Sequence, residues 1–155
     1  MMYEFIYSVF EIIGTIAFAV SGAIVALKKQ MDMLGVAALG LCTAVGGGVI
    51  RDMILGNTPP VMFRDPMYSV VAIGASIIVF LPPIRRAIEN SGALYDKVLL
   101  FMDSVGLGVF TAIGVRCAYS MNDGYGIFLV TFVGVVTGVG GGVLRDVLAG
   151  NPPYI

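Results

Sequence analysis

The chain has 155 residues, 58% of them hydrophobic and only 12% charged, with a formal net charge of -1 and no histidine; its mean hydropathy is +0.95. Soluble domains carry roughly 25% charged residues, so the composition argues against a soluble fold, and the small net charge without a polybasic block gives no electrostatic case for nucleic acid as a partner. Cys42 and Cys117 lie in apolar segments and read as buried small hydrophobes; with no histidine and no third cysteine there is no ligand set for zinc or haem, so neither a metal nor a cofactor is expected.

Five segments read as membrane-spanning helices, each long and apolar enough for a hydrocarbon core that takes about 20 residues. The first, about Tyr3 to Leu27, lacks the basic start and cleavage site of a signal peptide and is expected to be retained. The second runs from about Met33 to Gly56 and stays uncharged until Arg51. The third, about Pro66 to Ile84, is uncharged and closed by Pro82-Pro83 and Arg85-Arg86. A polar connection, Ala87 to Asp96, leads to the fourth, about Lys97 to Ser120, and the fifth runs from about Gly124 to Gly150. The loops after the first and third helices hold Lys28, Lys29, Arg85, Arg86 and Lys97, against Arg64 alone on the other side. By the positive-inside rule those loops are cytoplasmic and the N-terminus is outside.

Gly40 to Asn57, GLCTAVGGGVIRDMILGN, returns as Gly134 to Asn151, GVVTGVGGGVLRDVLAGN, with 11 of 18 aligned pairs identical at a shift of 94. Weaker matches at a shift of 92 align Glu11, Gly14, Phe18, Gly22 and Ala26 with Asp103, Gly106, Phe110, Gly114 and Ala118. The second and fifth helices are three crossings apart and run in opposite senses, so the fold class expected is an all-α membrane protein built as an inverted repeat of three-helix units, residues 1–86 and 87–155, as in transport proteins. The second unit stops at Ile155, where the first continues into a whole helix; the expectation is a fragment of a longer chain.

Gly40, Ala44 and Gly48, like Gly134, Gly138 and Gly142, recur every four residues and suit close helix packing in lipid. The full runs Gly46-Gly47-Gly48 and Gly140-Gly141-Gly142 weaken a helix by roughly 1 kcal/mol per glycine relative to alanine, which predicts either a kink or unwound turn at membrane depth, or a close helix crossing without any ion. An unwound turn would free carbonyls for a cation, with Thr43 and Thr137 adding hydroxyl oxygens one turn earlier. Arg51-Asp52 and Arg145-Asp146 follow about one turn beyond the glycines. Neighbours on a helix point about 100° apart, so each Arg could pair with its own Asp or, across the repeats, Arg51 with Asp146 and Arg145 with Asp52. Asp103 in the fourth helix and Glu11 in the first are intramembrane carboxylates, candidate cation attractors. Ser21 and Arg116 are further candidates for a polar path. The glycine run has neither a Walker pattern nor a G-x-G-x-x-G after a strand, and no nucleophile and base stand together, so no catalytic residues and no enzyme are expected.

The doubled GGG-x-x-RD motif, with FAVSGAIVA (Phe18 to Ala26) and DSVGLGVF (Asp103 to Phe110), resembles the trimeric intracellular cation channel family in its prokaryotic branch, whose members also go under a glycine-transporter name. The resemblance covers essentially the whole chain. It implies a homotrimer in membrane lipid, one pore per protomer conducting monovalent cations, chiefly potassium, and seven helices in a three-plus-three-plus-one pattern with kinked second and fifth helices around the pore. By position, the kink glycines would be Gly46 to Gly48 and Gly140 to Gly142, with the charged pairs Arg51-Asp52 and Arg145-Asp146 beside them. The alternative reading is a secondary transporter of a small amino acid such as glycine, which inverted repeats and broken helices also suit. An inert scaffold would account for the small-residue stripes but not for two Arg-Asp pairs.

Overall fold

The computed structural model describes residues 2–90, 92–121 and 124–154, and every regular element among them is a helix. Helix α1, Met2–Lys28, ends where Gln30 turns left-handed at φ 56°. Asp32 then caps α2, Met33–Ile54, its carboxylate accepting from the Gly35 amide at 2.8 Å and satisfying one of the open donors of a helix start. After a short α3, Val61–Arg64, come α4, Met67–Phe80, α5, Pro82–Glu89, α6, Gly92–Met121, and α7, Ile127–Leu148. Helices α2 and α7 both terminate at a left-handed glycine, Gly56 at φ 72° and Gly150 at φ 69°, where a side chain would be strained. At 22 residues each, they are about 33 Å long, sufficient for a hydrocarbon core of about 30 Å.

Four helices are long and apolar enough to cross a membrane, and α4 and α5 meet at a 71° bend, as a broken fifth span or a re-entrant loop does. The sequence reading of one helix from Pro66 to Ile84 is thereby corrected. Leu81 precedes Pro82 and is held extended (φ -57°, ψ 140°), since the proline ring disfavours the helical region for the residue before it. The chain restarts with Pro82 at the head of α5, where the missing N–H costs nothing. The connection read as Ala87 to Asp96 is also largely helical: α5 runs to Glu89, and α6 starts at Gly92 rather than Lys97.

Helix α1 sits at the centre, packed against α2, α4 and α6, while α2 and α7 cross each other. Its inner face is made of small residues; Ala17, Ala19, Ala23 and Ala26 are each at most 3% exposed. The outer surface is apolar too, with Leu34, Val70, Ile127 and Phe128 exposed, as lipid-facing positions must be.

The two halves repeat their contacts. A methyl added at Gly22 would collide with Thr43 of α2, the Gly40 Cα and the Leu39 carbonyl; one at Gly114 would collide with Thr137 of α7 and the Gly134 Cα. Thus α1 seats on α2 as α6 seats on α7. Between the halves, Gly47 lies against the Thr137 carbonyl and Gly141 against the Thr43 carbonyl. Rising numbers on one helix meet falling numbers on the other, so the crossing is antiparallel and the repeat is inverted.

Candidate functional site

The glycine runs do not unwind their helices. Helix α2 is continuous from Met33 to Ile54 and α7 from Ile127 to Leu148, so the expected unwound turn, with its freed carbonyls and amides, is replaced by the other reading, a close helix crossing. An added Cβ at Gly47 would run into the Thr137 carbonyl oxygen, and one at Gly141 into that of Thr43; at Gly46 it would meet the Leu144 side chain, and at Gly140 it would lie 3.1 Å from the Gly47 Cα. The last glycine of each run behaves differently. Gly142 faces open space, and the nearest atom to a methyl on Gly48 would be an Arg51 nitrogen at 3.8 Å.

Thr43 and Thr137 reach the crossing, fully buried, but each hydroxyl donates to a carbonyl of its own helix, Leu39 and Val133, both at 2.6 Å. They satisfy themselves locally and line none of the cavities described below.

Arg51, Asp52, Arg145 and Asp146 are all buried, and each arginine pairs with its own neighbour. Arg51 Nε donates to Asp52 Oδ1 at 2.9 Å and Arg145 Nε to Asp146 Oδ1 at 2.8 Å, so pairing across the repeats is not what the fold adopts. The second oxygen of each aspartate accepts a backbone amide beyond the helix end: Val61 to Asp52 Oδ2 at 2.8 Å, Tyr154 to Asp146 Oδ2 at 3.0 Å. Each Asp thus ties its arginine to the loop that follows the helix. That placement also satisfies a charge that is expensive at membrane depth.

The two ends differ beyond this point. Arg145 Nη1 donates to both oxygens of Asp103, at 2.6 and 2.7 Å, and to Ser21, whose own hydroxyl donates to Asp103 Oδ1 at 2.6 Å. Ser21, Asp103 and Arg145, from α1, α6 and α7, therefore form one cluster. At the other end Glu11, the counterpart of Asp103, accepts instead from the Tyr68 hydroxyl of α4 at 2.6 Å. Arg116 stands over the Tyr7 ring, 3.2 Å from its centroid, in a cation–π arrangement.

Three cavities adjoin these groups. A vestibule of about 400 Å³ is lined by Lys28, Tyr95, Asp103, Arg145, Asp146 and Tyr154, among others. Beside α6 and α7 is a cavity of about 110 Å³ walled by Phe18, Asp103, Leu107, Gly138, Gly142 and Tyr154. Its mate, about 50 Å³, is walled by Glu11, Thr15, Ala44, Gly48, Tyr68 and Phe110. Tyr68 and Tyr95 carry no signature in the sequence; that Tyr68 serves the carboxylate of Glu11 and that Tyr95 lies under the Lys28 ammonium, 4.1 Å from its ring centroid, becomes visible only when the helices are assembled. Phe18 and Phe110 were aligned as repeat mates, yet their contact, a stack with centroids 5.3 Å apart, needs the symmetry axis to be located.

A family model described as Glycine transporter matches residues 8–82 and 100–155. The chain is 43% identical over 145 residues to the UPF0126 inner membrane protein YadS of Escherichia coli K12, covering 94% of this chain and 67% of that protein. It is 39% identical over 145 residues to a UPF0126 membrane protein of Deinococcus radiodurans, covering 94% and 64%. The chain spans about two thirds of the length of these relatives. Among solved structures, the TRIC trimeric intracellular cation channel orthologue from Rhodobacter sphaeroides superposes with a TM-score of 0.86 at 35% identity, over 97% of this chain and 73% of that one. A TRIC cation channel solved to explain conductance superposes at 0.80 with 44% identity, over 95% and 68%.

Fold and buried charge together define an integral, multi-pass membrane protein of inverted-repeat build with the fold of the TRIC channels. The chain belongs to the family whose model, described as Glycine transporter, matches it, and by its similarity to the solved structures to the prokaryotic branch of the trimeric intracellular cation channels.

Proposed function

We propose that the protein conducts monovalent cations, potassium foremost, along a path inside each protomer, and that three protomers assemble in the plasma membrane with the N-terminus outside. The observation that carries this reading is the Ser21–Asp103–Arg145 cluster at the inner end of the 400 Å³ vestibule. Charge buried at membrane depth is costly and marks ion routes; here a carboxylate that is 28% exposed faces the vestibule while its arginine is enclosed. The path runs from that vestibule past Asp103 towards Glu11 on the opposite side of the α2–α7 crossing. The Arg51 and Arg145 pairs brace it, and the glycine crossing sets how closely its two walls approach. Support comes from the relatives solved as cation channels and from a similar prokaryotic TRIC channel solved in 0.5 M KCl. Lys28 lines the vestibule and belongs to the basic loops that the positive-inside rule assigns to the cytoplasm, which favours that end as the cytoplasmic one.

The test is a reversal potential in a potassium chloride gradient across a planar bilayer. Cation conduction places it near the potassium equilibrium value, and a shift to the chloride side refutes the reading. Carriage of a small amino acid such as glycine is the second reading, suggested by the description of the family model. Saturable, gradient-driven glycine uptake without unitary currents would put it first.

A further inference from the structure

The cavities of 50 and 110 Å³ are mates under the repeat. Glu11, Thr15, Ala44 and Gly48 in one correspond to Asp103, Leu107, Gly138 and Gly142 in the other. The rings are exchanged: Phe110 of α6 lines the cavity of Glu11, Phe18 of α1 lines the cavity of Asp103, and the two rings stack on each other. The pair is therefore the wall between a compartment with one carboxylate and a compartment with the other. On the Asp103 side the cavity shares Leu100, Asp103 and Tyr154 with the vestibule, so the wall stands behind the cavity that adjoins the vestibule.

We propose that the Phe18–Phe110 stack is the hydrophobic gate of the conduction path. This rests on the channel reading and adds where that channel is shut. Both rings are buried, at 3% and 8% exposure, and an apolar constriction excludes water and the ions that need it. The rings have little room to swing aside. A methyl at Gly106 would collide with the Phe18 ring, one at Gly141 would come within 3.0 Å of it, and one at Gly14 would lie 3.1 Å from the Phe110 ring. Passage requires α1 and α6, which carry the two rings, to part. The Ser21–Asp103 hydrogen bond joins those same helices, and Arg145 holds it from α7. Clamp and gate are thus consecutive parts of one closure.

The experiment compares potassium currents of the wild-type protein, Phe18→Ala, Phe110→Ala and Phe18→Leu in planar bilayers. Each alanine variant is expected to raise the resting current at least tenfold, and Phe18→Leu, which keeps most of the apolar volume, to stay within about twofold. Wild-type current in folded alanine variants overturns the gate while leaving the channel reading intact. If an alanine variant does not fold, Phe110→Tyr takes its place: the ring is kept, the added hydroxyl wets the constriction, and an unchanged current is again fatal to the proposal. A readout independent of conduction uses Gly48→Cys in a Cys42→Ala, Cys117→Ala background. An impermeant thiol reagent applied from the vestibule side should label it at least tenfold faster when Phe18→Ala is also present. An equal labelling rate with Phe18 intact overturns the gate.

Discussion

One guanidinium nitrogen of Arg145 faces both carboxylate oxygens of Asp103, at 2.6 and 2.7 Å, and no such contact joins the corresponding pair, Arg51 and Glu11, among the described residues. Glu11 is engaged by Tyr68 from α4, and Arg51 bonds Asp52. The inverted repeat is thus symmetric in its backbone crossing and asymmetric in its charges. The proposed path would meet an ionic clamp at the vestibule end and a hydroxyl–carboxylate pair at the other.

Neutralising that clamp should open it. Asp103→Asn keeps the shape of the side chain and removes the charge that holds Arg145, leaving the arginine with Asp146 and the Ser21 hydroxyl. Side-chain pairs within membrane bundles contribute on the order of 1 kcal/mol, so the melting temperature should fall by a few degrees only, while single-channel open probability rises about fivefold, as a loss of roughly 1 kcal/mol from the closed state implies. An open probability equal to the wild type would show that the contact does not hold the closed form.

The four glycines at the crossing should divide by position. Gly47→Ala and Gly141→Ala each drive a methyl into a carbonyl of the facing helix; overpacking of this kind costs about 1–3 kcal/mol, more than the roughly 1 kcal/mol that alanine adds to helix propensity. Gly142→Ala meets open space and Gly48→Ala an atom 3.8 Å away, so both should hold or raise stability. Thermal melting of the four variants in one detergent checks the order, and equal losses at Gly47 and Gly142 would contradict it.

The antiparallel duplication was readable from the sequence because Gly40–Asn57 and Gly134–Asn151 differ by an odd number of crossings, and handedness of traverse is simple counting. What the glycine runs do was less accessible. Three glycines lower helix propensity whether the helix breaks or a neighbour presses against it, and only the Thr137 and Thr43 carbonyls opposite Gly47 and Gly141 distinguish the two. The bend at Leu81 was within reach, since Pro82 disfavours the helical region for the residue before it, although the uncharged run itself continues to Ile84. Pairing of Arg51 with Asp52 lay beyond reach, since it depends on the Val61 amide, nine residues on, taking the second carboxylate oxygen.

That pairing makes the last prediction. In a double-mutant cycle, Arg51→Gln with Asp52→Asn should show a coupling on the order of 1 kcal/mol, and Arg145→Gln with Asp146→Asn the same. Arg51→Gln with Asp146→Asn should be additive, because each arginine bonds its own neighbour. The aspartate has a second job that the cycle exposes. Asp146→Ala also releases the Tyr154 amide and Asp52→Ala the Val61 amide, so hydrogen exchange should accelerate at those two amides in the alanine variants and much less in the matching Arg→Gln variants. Equal acceleration in both sets would mean that the arginines, and not the aspartates, hold the loops at the two helix ends.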